Sequence, residues 1–242
     1  MPIASRWRSA ARTDPGKVRA RNEDAFLNHP QRGLWVVADG MGGHYGGDIA
    51  SQLIVASLAE LPVEQGHDER LKALCQCLHW LNRRLGQELT VTAERQDSVM
   101  GSTVVALLLE GNRAACVWAG DSRCYLWRKQ CLYQLSRDHS LQQLLIDDQH
   151  MSLEQARAHP AANALTRAIG ASERLTLDVL ELQVYPGDAF LLCSDGLYQG
   201  LTECALGNAM SVVSPEVTVE RLFDGVLQGP ARDNLTAVVI RQ

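Results

Sequence analysis

Acidic residues stand at five places where the chain changes direction: Glu23-Asp24, Asp39-Gly40, Asp121, Asp195-Gly196 and Asp233-Asn234. Each lies beside a run of apolar residues of strand length. If these carboxylates converge, several like charges meet. That is costly unless cations neutralise them or some stay protonated. An all-oxygen site selects hard cations, Mg²⁺ or Mn²⁺, over zinc. Two such cations a few ångströms apart can serve both ends of a phosphoryl transfer. Taken singly, each aspartate reads equally well as a turn former or helix cap.

The stretch Leu34-Trp35-Val36-Val37-Ala38-Asp39-Gly40-Met41-Gly42-Gly43-His44 shows how such a carboxylate is positioned. Five apolar residues run into Asp39, and five of the eight residues after it are glycine. The apolar run predicts a strand buried on both faces. The glycines allow a sharp exit and close backbone approach to a ligand. Leu191-Leu192-Cys193-Ser194-Asp195-Gly196 repeats the pattern of an apolar strand ending in Asp-Gly.

Composition narrows the class. The length of 242 residues suits one large domain or two small ones. A net charge of −5 argues against nucleic acid as the main partner. Seven cysteines form no Cys-x-x-Cys pair, so neither a zinc site nor a disulfide framework is supported. Reduced, mostly buried thiols in a cytoplasmic protein are the expectation. No apolar run reaches the length of a membrane span, and Arg6, Arg8 and Arg12 precede no secretory core segment.

Patterning predicts the remaining elements. Strands are expected within Ile3–Ala11 and over Asp24–Asn28, with turns at Asp14-Pro15-Gly16 and near Pro30–Gly33. Helices are expected over Gly47–Leu61 and Glu69–Leu89 from their three- and four-residue apolar spacing. Strands follow at Ser102–Leu109, Arg113–Ala119, Arg123–Trp127 and Cys131–Leu135; their short loops imply an antiparallel meander. Leu175–Val184 and Ala189–Ser194 read as another hairpin. The polar segment His139–Ala168 reads as an inserted, mobile surface unit with helices at Leu141–Asp147 and Leu153–Ala158. Helices at Thr202–Asn208 and Pro215–Leu227 and a strand at Leu235–Ile240 close the chain. This order suggests two packed sheets with helices outside.

Seven motifs in order carry a family resemblance. They are Val18-Arg19-x-x-Asn22-Glu23-Asp24, Val37-Ala38-Asp39-Gly40-Met41-Gly42-Gly43, Gly101-Ser102-Thr103, Gly120-Asp121-Ser122-Arg123, Ser136-x-Asp138-His139-Ser140, Ser194-Asp195-Gly196-Leu197 and Asp233-Asn234-Leu235-Thr236. The chain resembles the metal-dependent (PPM, type 2C) Ser/Thr protein phosphatases, in their bacterial stand-alone form. The resemblance implies an α+β fold: a four-layer α-β-β-α sandwich of two antiparallel sheets flanked by helices. One catalytic domain would cover residues 1–242, with a flap over about 147–170.

By motif, Asp39 would bridge two Mn²⁺ or Mg²⁺ ions and the Gly40 carbonyl would bind one of them. Asp195 and Asp233 would hold the other. Asp121 would help hold a third, weaker ion. Glu23 and Asp24 would orient bound waters, and Arg19 would grip the substrate phosphate. The implied reaction is in-line hydrolysis of phosphoserine or phosphothreonine by an activated water, without a phosphoenzyme. The partners would be phosphorylated proteins, including a cognate Ser/Thr kinase whose action is opposed; the enzyme would be a monomer. Met41 replaces a histidine that animal relatives often carry as general acid, so a bound water or another residue must protonate the leaving group. His44 reads as a solvated loop residue, and His139 and His159 as structural. The flap is expected to govern docking of protein substrates. A binding module that keeps the fold without catalysis, and a metal-dependent phosphodiesterase, are the other readings of these residues.

Overall fold

Side-chain alternation explains the layering. The computed structural model describes residues 7–42, 46–62, 66–89 and 100–242. In it, β3 (Leu34–Met41) turns Leu34, Val36 and Ala38 to one side and Trp35 and Val37 to the other. The first set packs beneath α1 (Gly47–Ala59) and α2 (His67–Arg83), against Ile54, Leu58, Leu74 and Leu78. The second set meets Phe190, Leu192, Val238 and Ile240 from a facing sheet. A strand sandwiched in this way has no solvent face, which is why its sequence is continuously apolar.

One sheet runs in the order β2 (Asp24–His29), β3, β5 (Val104–Glu110), β6 (Arg113–Ala119), β9 (Asp178–Gln183). The two-residue β4 (Gly101–Ser102) pairs the end of β3. The facing sheet runs β1 (Arg8–Asp14), β11 (Leu235–Arg241), β10 (Ala189–Cys193), β7 (Arg123–Arg128), β8 (Cys131–Gln134). Every pairing between strands is antiparallel. The outer face of this second sheet is covered by α5 (Asp195–Gln199), α6 (Glu203–Met210) and α7 (Pro215–Leu227). The four layers follow the expected α-β-β-α order. Among the described residues, no helix is long and apolar enough to cross a membrane.

The expected meander is corrected at one connection, and the expected second hairpin is absent. β6 bonds to β5 and β9, whereas β7 bonds to β10 and β8. Gly120-Asp121-Ser122 is therefore a crossing between sheets rather than a hairpin turn. Gly120 takes φ +116, and a Cβ there would stand 2.5 Å from that of Thr103; only glycine makes this exit without strain. Likewise β9 and β10 lie in different sheets and form no hairpin. At that corner Asp188, 2% exposed, receives both Nε and Nη2 of Arg128, at 2.9 and 2.6 Å.

Smaller differences have local causes. The strand expected over Ser102–Leu109 is broken at Thr103, whose backbone and side chain bond to Asp39. The second helix is α-helical only to Arg83 and continues in a π-helical turn over Arg84–Leu89. Helix α5 is too short to show a period. All seven cysteines are free, but Cys131 and Cys204 are exposed and Cys75 and Cys77 half-buried, so fewer are buried than composition suggested. Ile3–Arg6, Gly43 and His44 lie outside the described residues.

Between β8 and β9, α3 (Leu141–Gln149) and α4 (Leu153–Arg157) begin the polar insertion. Ser140 and Ser152 cap them, accepting from Gln143 N–H and Gln155 N–H. The return path is stitched down by isolated bridges between Ser140 and Leu165 and between Ser102 and Ile169.

Helix α7 shows how little the layering leaves to chance. Val219, Leu222, Phe223 and Val226 are buried, while Val217 is 45% exposed. Leu222→Ala should lower stability by about 2–5 kcal/mol, the range for truncating a fully buried leucine. Val217→Ala should stay within about 0.5 kcal/mol. Urea unfolding of the two variants checks this; equal midpoints would mean the helix face is misassigned.

Candidate active site

Antiparallel pairing brings the acidic strand ends to one end of the sandwich. Asp24, at the start of β2, pairs directly with Asp39 near the end of β3. Asp24 shares a face with Phe26, and Asp39 with Trp35 and Val37, so both aspartates belong to the side that faces the other sheet. From that sheet, Asp195 follows the end of β10 and Asp233 precedes β11, which pairs with it. Asp121 sits in the crossing after β6.

Burial, and then the repulsion of neighbouring acids, raises Asp24, Asp39, Asp121 and Asp195. Asp24 is pushed up to about 6, first by burial and then by Asp195 and Asp233, although two hydroxyls oppose the rise. Those hydroxyls are Ser194 Oγ and Thr236 Oγ1, both donating to Asp24 Oδ2 at 2.7 Å. Asp195 is also pushed up to about 6, by burial and then Asp233. Asp121 reaches about 8, through burial and then Asp195 and Asp138. Asp39 is driven well above the usual carboxylate range by burial, then by Asp24, Asp195, Asp121 and Asp233. Glu23 is raised by burial and by Asp48.

Cationic relief from the protein is slight. Arg19 donates from Nη2 to Asp233 Oδ2 at 2.7 Å, and its side chain remains 55% exposed. Among the described residues, no three Asp, Glu, His or Cys side chains form a ready-made coordination group. Of these acids, Asp233 alone takes an ion pair from Arg19, and Asp195 Oδ2 accepts from Gln199 Nε2 at 3.0 Å. The donor set nevertheless fits hard divalent cations. It is all oxygen, the members repel one another, and Asp24 Oδ1 is buried with no hydrogen-bond partner.

Backbone clamps set where these side chains start. Asp39 N–H donates to Thr103 Oγ1 at 3.1 Å, and its carbonyl accepts from Thr103 N–H at 2.8 Å and Ser102 Oγ at 3.0 Å. Asn234 accepts from Glu23 N–H at 2.9 Å and donates to the carbonyls of Pro15 and Arg21 at 3.0 and 2.9 Å. One asparagine thus anchors the loop that carries Arg19 and Glu23. At Gly40 the backbone packs so closely that a Cβ would lie 2.1 Å from the Gly47 carbonyl oxygen and 2.6 Å from that of Glu23.

The sequence reading gave no roles to Thr103, Ser194, Thr236 or Asn234. Their signal was membership of a short motif: Ser194 and Asn234 sit directly beside an acidic residue, Thr236 lies three positions after Asp233, and Thr103 has no acidic neighbour. His139 is buried and stacked on Trp118, accepting from Gly120 N–H at Nδ1, 3.1 Å away. Its backbone N–H also donates to the Gly120 carbonyl at 2.9 Å. His159 is exposed and accepts from Ala161 N–H within its own turn. Neither histidine is among the groups that perturb the acidic cluster. Met41 packs against Gly101.

Comparison with known proteins agrees with this architecture. The profile of the family described as Protein phosphatase 2C matches residues 17–236. The serine/threonine protein phosphatase PstP of Mycobacterium tuberculosis is 36% identical over 233 residues, 96% of this chain. The chain spans only 44% of that relative's length. Among solved structures, Pseudomonas aeruginosa PppA, described as a key regulatory component of T6SS, superposes with TM-score 0.90 at 45% identity, covering 98% of each chain. The catalytic domain of PstP in complex with two manganese ions superposes with TM-score 0.86 at 33% identity over 97% of each chain. With the profile running from the turn after β1 into the last strand, the chain belongs to the protein phosphatase 2C family.

Proposed function

We propose that this chain is a metal-dependent protein phosphatase that hydrolyses phosphoserine and phosphothreonine. The observation that carries the reading is the convergence of acidic strand ends from both sheets at one end of the inter-sheet gap, where burial and like charge raise Asp24, Asp39, Asp121 and Asp195. Asp39, the Gly40 carbonyl, Asp195 and Asp233 would hold two cations between them. Asp121 suits a third, weaker ion. When bound, two Mn²⁺ or Mg²⁺ ions lower the pKa of an attacking water and offset charge on the phosphoryl group.

The protein's own groups then do the positioning. Arg19 presents a planar fork that fits two phosphate oxygens; doing so exchanges its bond to Asp233 for the substrate. Asp24, fixed by Ser194 and Thr236 through one oxygen, keeps the other free to accept from water. Glu23 stands beside it, held by Asn234. Met41 offers no proton, so the leaving serine or threonine is protonated by water or by another group.

One catalytic domain over 1–242 with a flap at about 147–170 is part of this reading, as are a monomeric state and the cytoplasm. The substrates are phosphoproteins, including a Ser/Thr kinase or its targets. The 45% identity with PppA over 98% of each chain supports a role in controlling a T6SS.

Mn²⁺-dependent hydrolysis of p-nitrophenyl phosphate tests the proposal. EDTA should abolish it, and Asp39→Asn should cost about a thousandfold or more in kcat/KM, roughly 4 kcal/mol of transition-state stabilisation. No turnover with any divalent ion would leave a binding module; preference for a bis-aryl phosphate would leave a phosphodiesterase.

Stability against pH gives a separate check. Asp24 and Asp195 sit near 3.8 when unfolded and at about 6 when folded. The metal-free folded state therefore holds more protons than the unfolded state across that window, and loses stability as pH rises through it. Cations compete with those protons. The rise in thermal midpoint caused by Mn²⁺ should be larger at pH 7.5 than at pH 5; an equal rise would mean that ions bind elsewhere.

A further inference from the structure

A cavity of about 610 Å³ lies between the sandwich and the segment from Arg157 to Ala164. Such a volume falls within the roughly 300–1,000 Å³ usual for ligand sites. It adjoins the acidic cluster. Asp121 lines it, and so does Gln199, which donates to Asp195 Oδ2 at 3.0 Å. Its outer wall is held in place: Leu141 and Gln142 N–H groups donate to the carbonyls of Ala164 and Ala162, both at 2.8 Å. Ala161, Ala162 and Ala164 put little side chain into the space.

The charges around the cavity are unequal in what they can still do. Arg123 is already committed: it meets Asp138 through Nε and Nη2 at 2.8 and 2.6 Å and lies over the Tyr198 ring at 3.7 Å. Asp138 is neutralised by the same contact. Asp121 belongs to the acidic cluster. Arg157, at the end of α4, is exposed, lines the cavity, and among the described residues its side chain has no hydrogen-bond or ion-pair partner. Its guanidinium keeps its donors free in a geometry matched to carboxylate and phosphate oxygens.

We propose that this cavity is a docking subsite for an anionic side chain close to the phosphorylated residue of a substrate protein, with Arg157 as its ligand. The anion is an Asp or Glu carboxylate or a second phosphate, since both present oxygens to the same fork. This inference rests on the phosphatase reading above, which supplies the scissile phosphate at the neighbouring cluster. It gives the chain a sequence preference among phosphoproteins that the acidic cluster alone does not provide. Basic flanking residues are disfavoured, because Asp138, the carboxylate that lines the cavity outside the cluster, is spent on Arg123.

The test uses one phosphothreonine peptide in four versions, flanked on both sides by Ala, Glu, phosphoserine or Lys. Values of kcat/KM are measured for the intact chain, Arg157→Ala and Arg157→Glu. The intact chain should favour the Glu or phosphoserine version over the Ala version by about tenfold, the scale of one charge-assisted contact. Arg157→Ala should bring that ratio to about one, and Arg157→Glu should favour the Lys version. The larger of the two anionic preferences identifies carboxylate or phosphate as the natural ligand. An acidic preference that survives in Arg157→Ala, or an equal fall on all four peptides, overturns the proposal. Fluorescence anisotropy with the same peptides decides docking separately. Arg157-dependent binding without turnover would uphold the subsite and sink the phosphatase reading; binding indifferent to both flank and Arg157 would sink the subsite.

Discussion

Like charge confined in a narrow, poorly solvated place is the constraint on which this structure turns. Asp24 and Asp39 face each other across adjacent strands, an arrangement that disfavours two anions. Asp195 adds to it from the other side of the gap, and Asp121 from the crossing between the sheets. A fold that keeps such groups together stores electrostatic cost in its folded state. The same cost is what makes the place selective. Only a species that brings concentrated positive charge and accepts hard oxygen donors relieves it, and a single half-exposed Arg19 does not.

The surrounding polar groups hold these acids in place without neutralising them. Ser194 and Thr236 both bond one oxygen of Asp24, leaving its partner oxygen orphaned. Thr103 and Ser102 bond the backbone of Asp39 and leave its carboxyl out of the contact. Asn234 ties three points of the chain from Pro15 to Glu23. Hydroxyl and amide groups are the right tools for this task, because they orient a carboxylate while carrying no charge that would compete with a cation.

Much of this was legible in the sequence, but unevenly. The strand Leu34–Met41 announced itself because burial on both faces demands an unbroken apolar run. Helix α7 was read to its boundaries because Pro215 and its apolar spacing are local signals. The sheet crossing at Gly120-Asp121-Ser122 was not, because a three-residue link looks like a hairpin turn until the partners of β6 are known. β6 has both edges occupied by β5 and β9, a long-range fact with no local trace. The candidate acids were found through their positions at strand ends. The groups that orient them, Ser194, Thr236 and Thr103, look like ordinary small polar residues in a chain. The pairing of Arg19 with Asp233 spans a separation of 214 residues, which no spacing rule reaches.

That crossing also explains how the gap keeps its width. Packed sheets stand about 10 Å apart, so aspartates rooted on opposite sheets need their backbones held at a fixed offset to share a ligand. Trp35, Trp118 and Phe190 fill the space behind the acids and set that offset by their volume. Gly120-Asp121-Ser122 joins the two sheets at the same end, with Ser122 Oγ bonded to Thr103 Oγ1 at 2.7 Å and Tyr198 donating to the Asp121 carbonyl at 3.1 Å. A change in the thickness of the inner core would therefore move Asp39 relative to Asp195 without touching either. Close-packed interiors transmit such changes rather than absorb them, so the apolar layer between the sheets acts as the ruler for the chemistry at its open end.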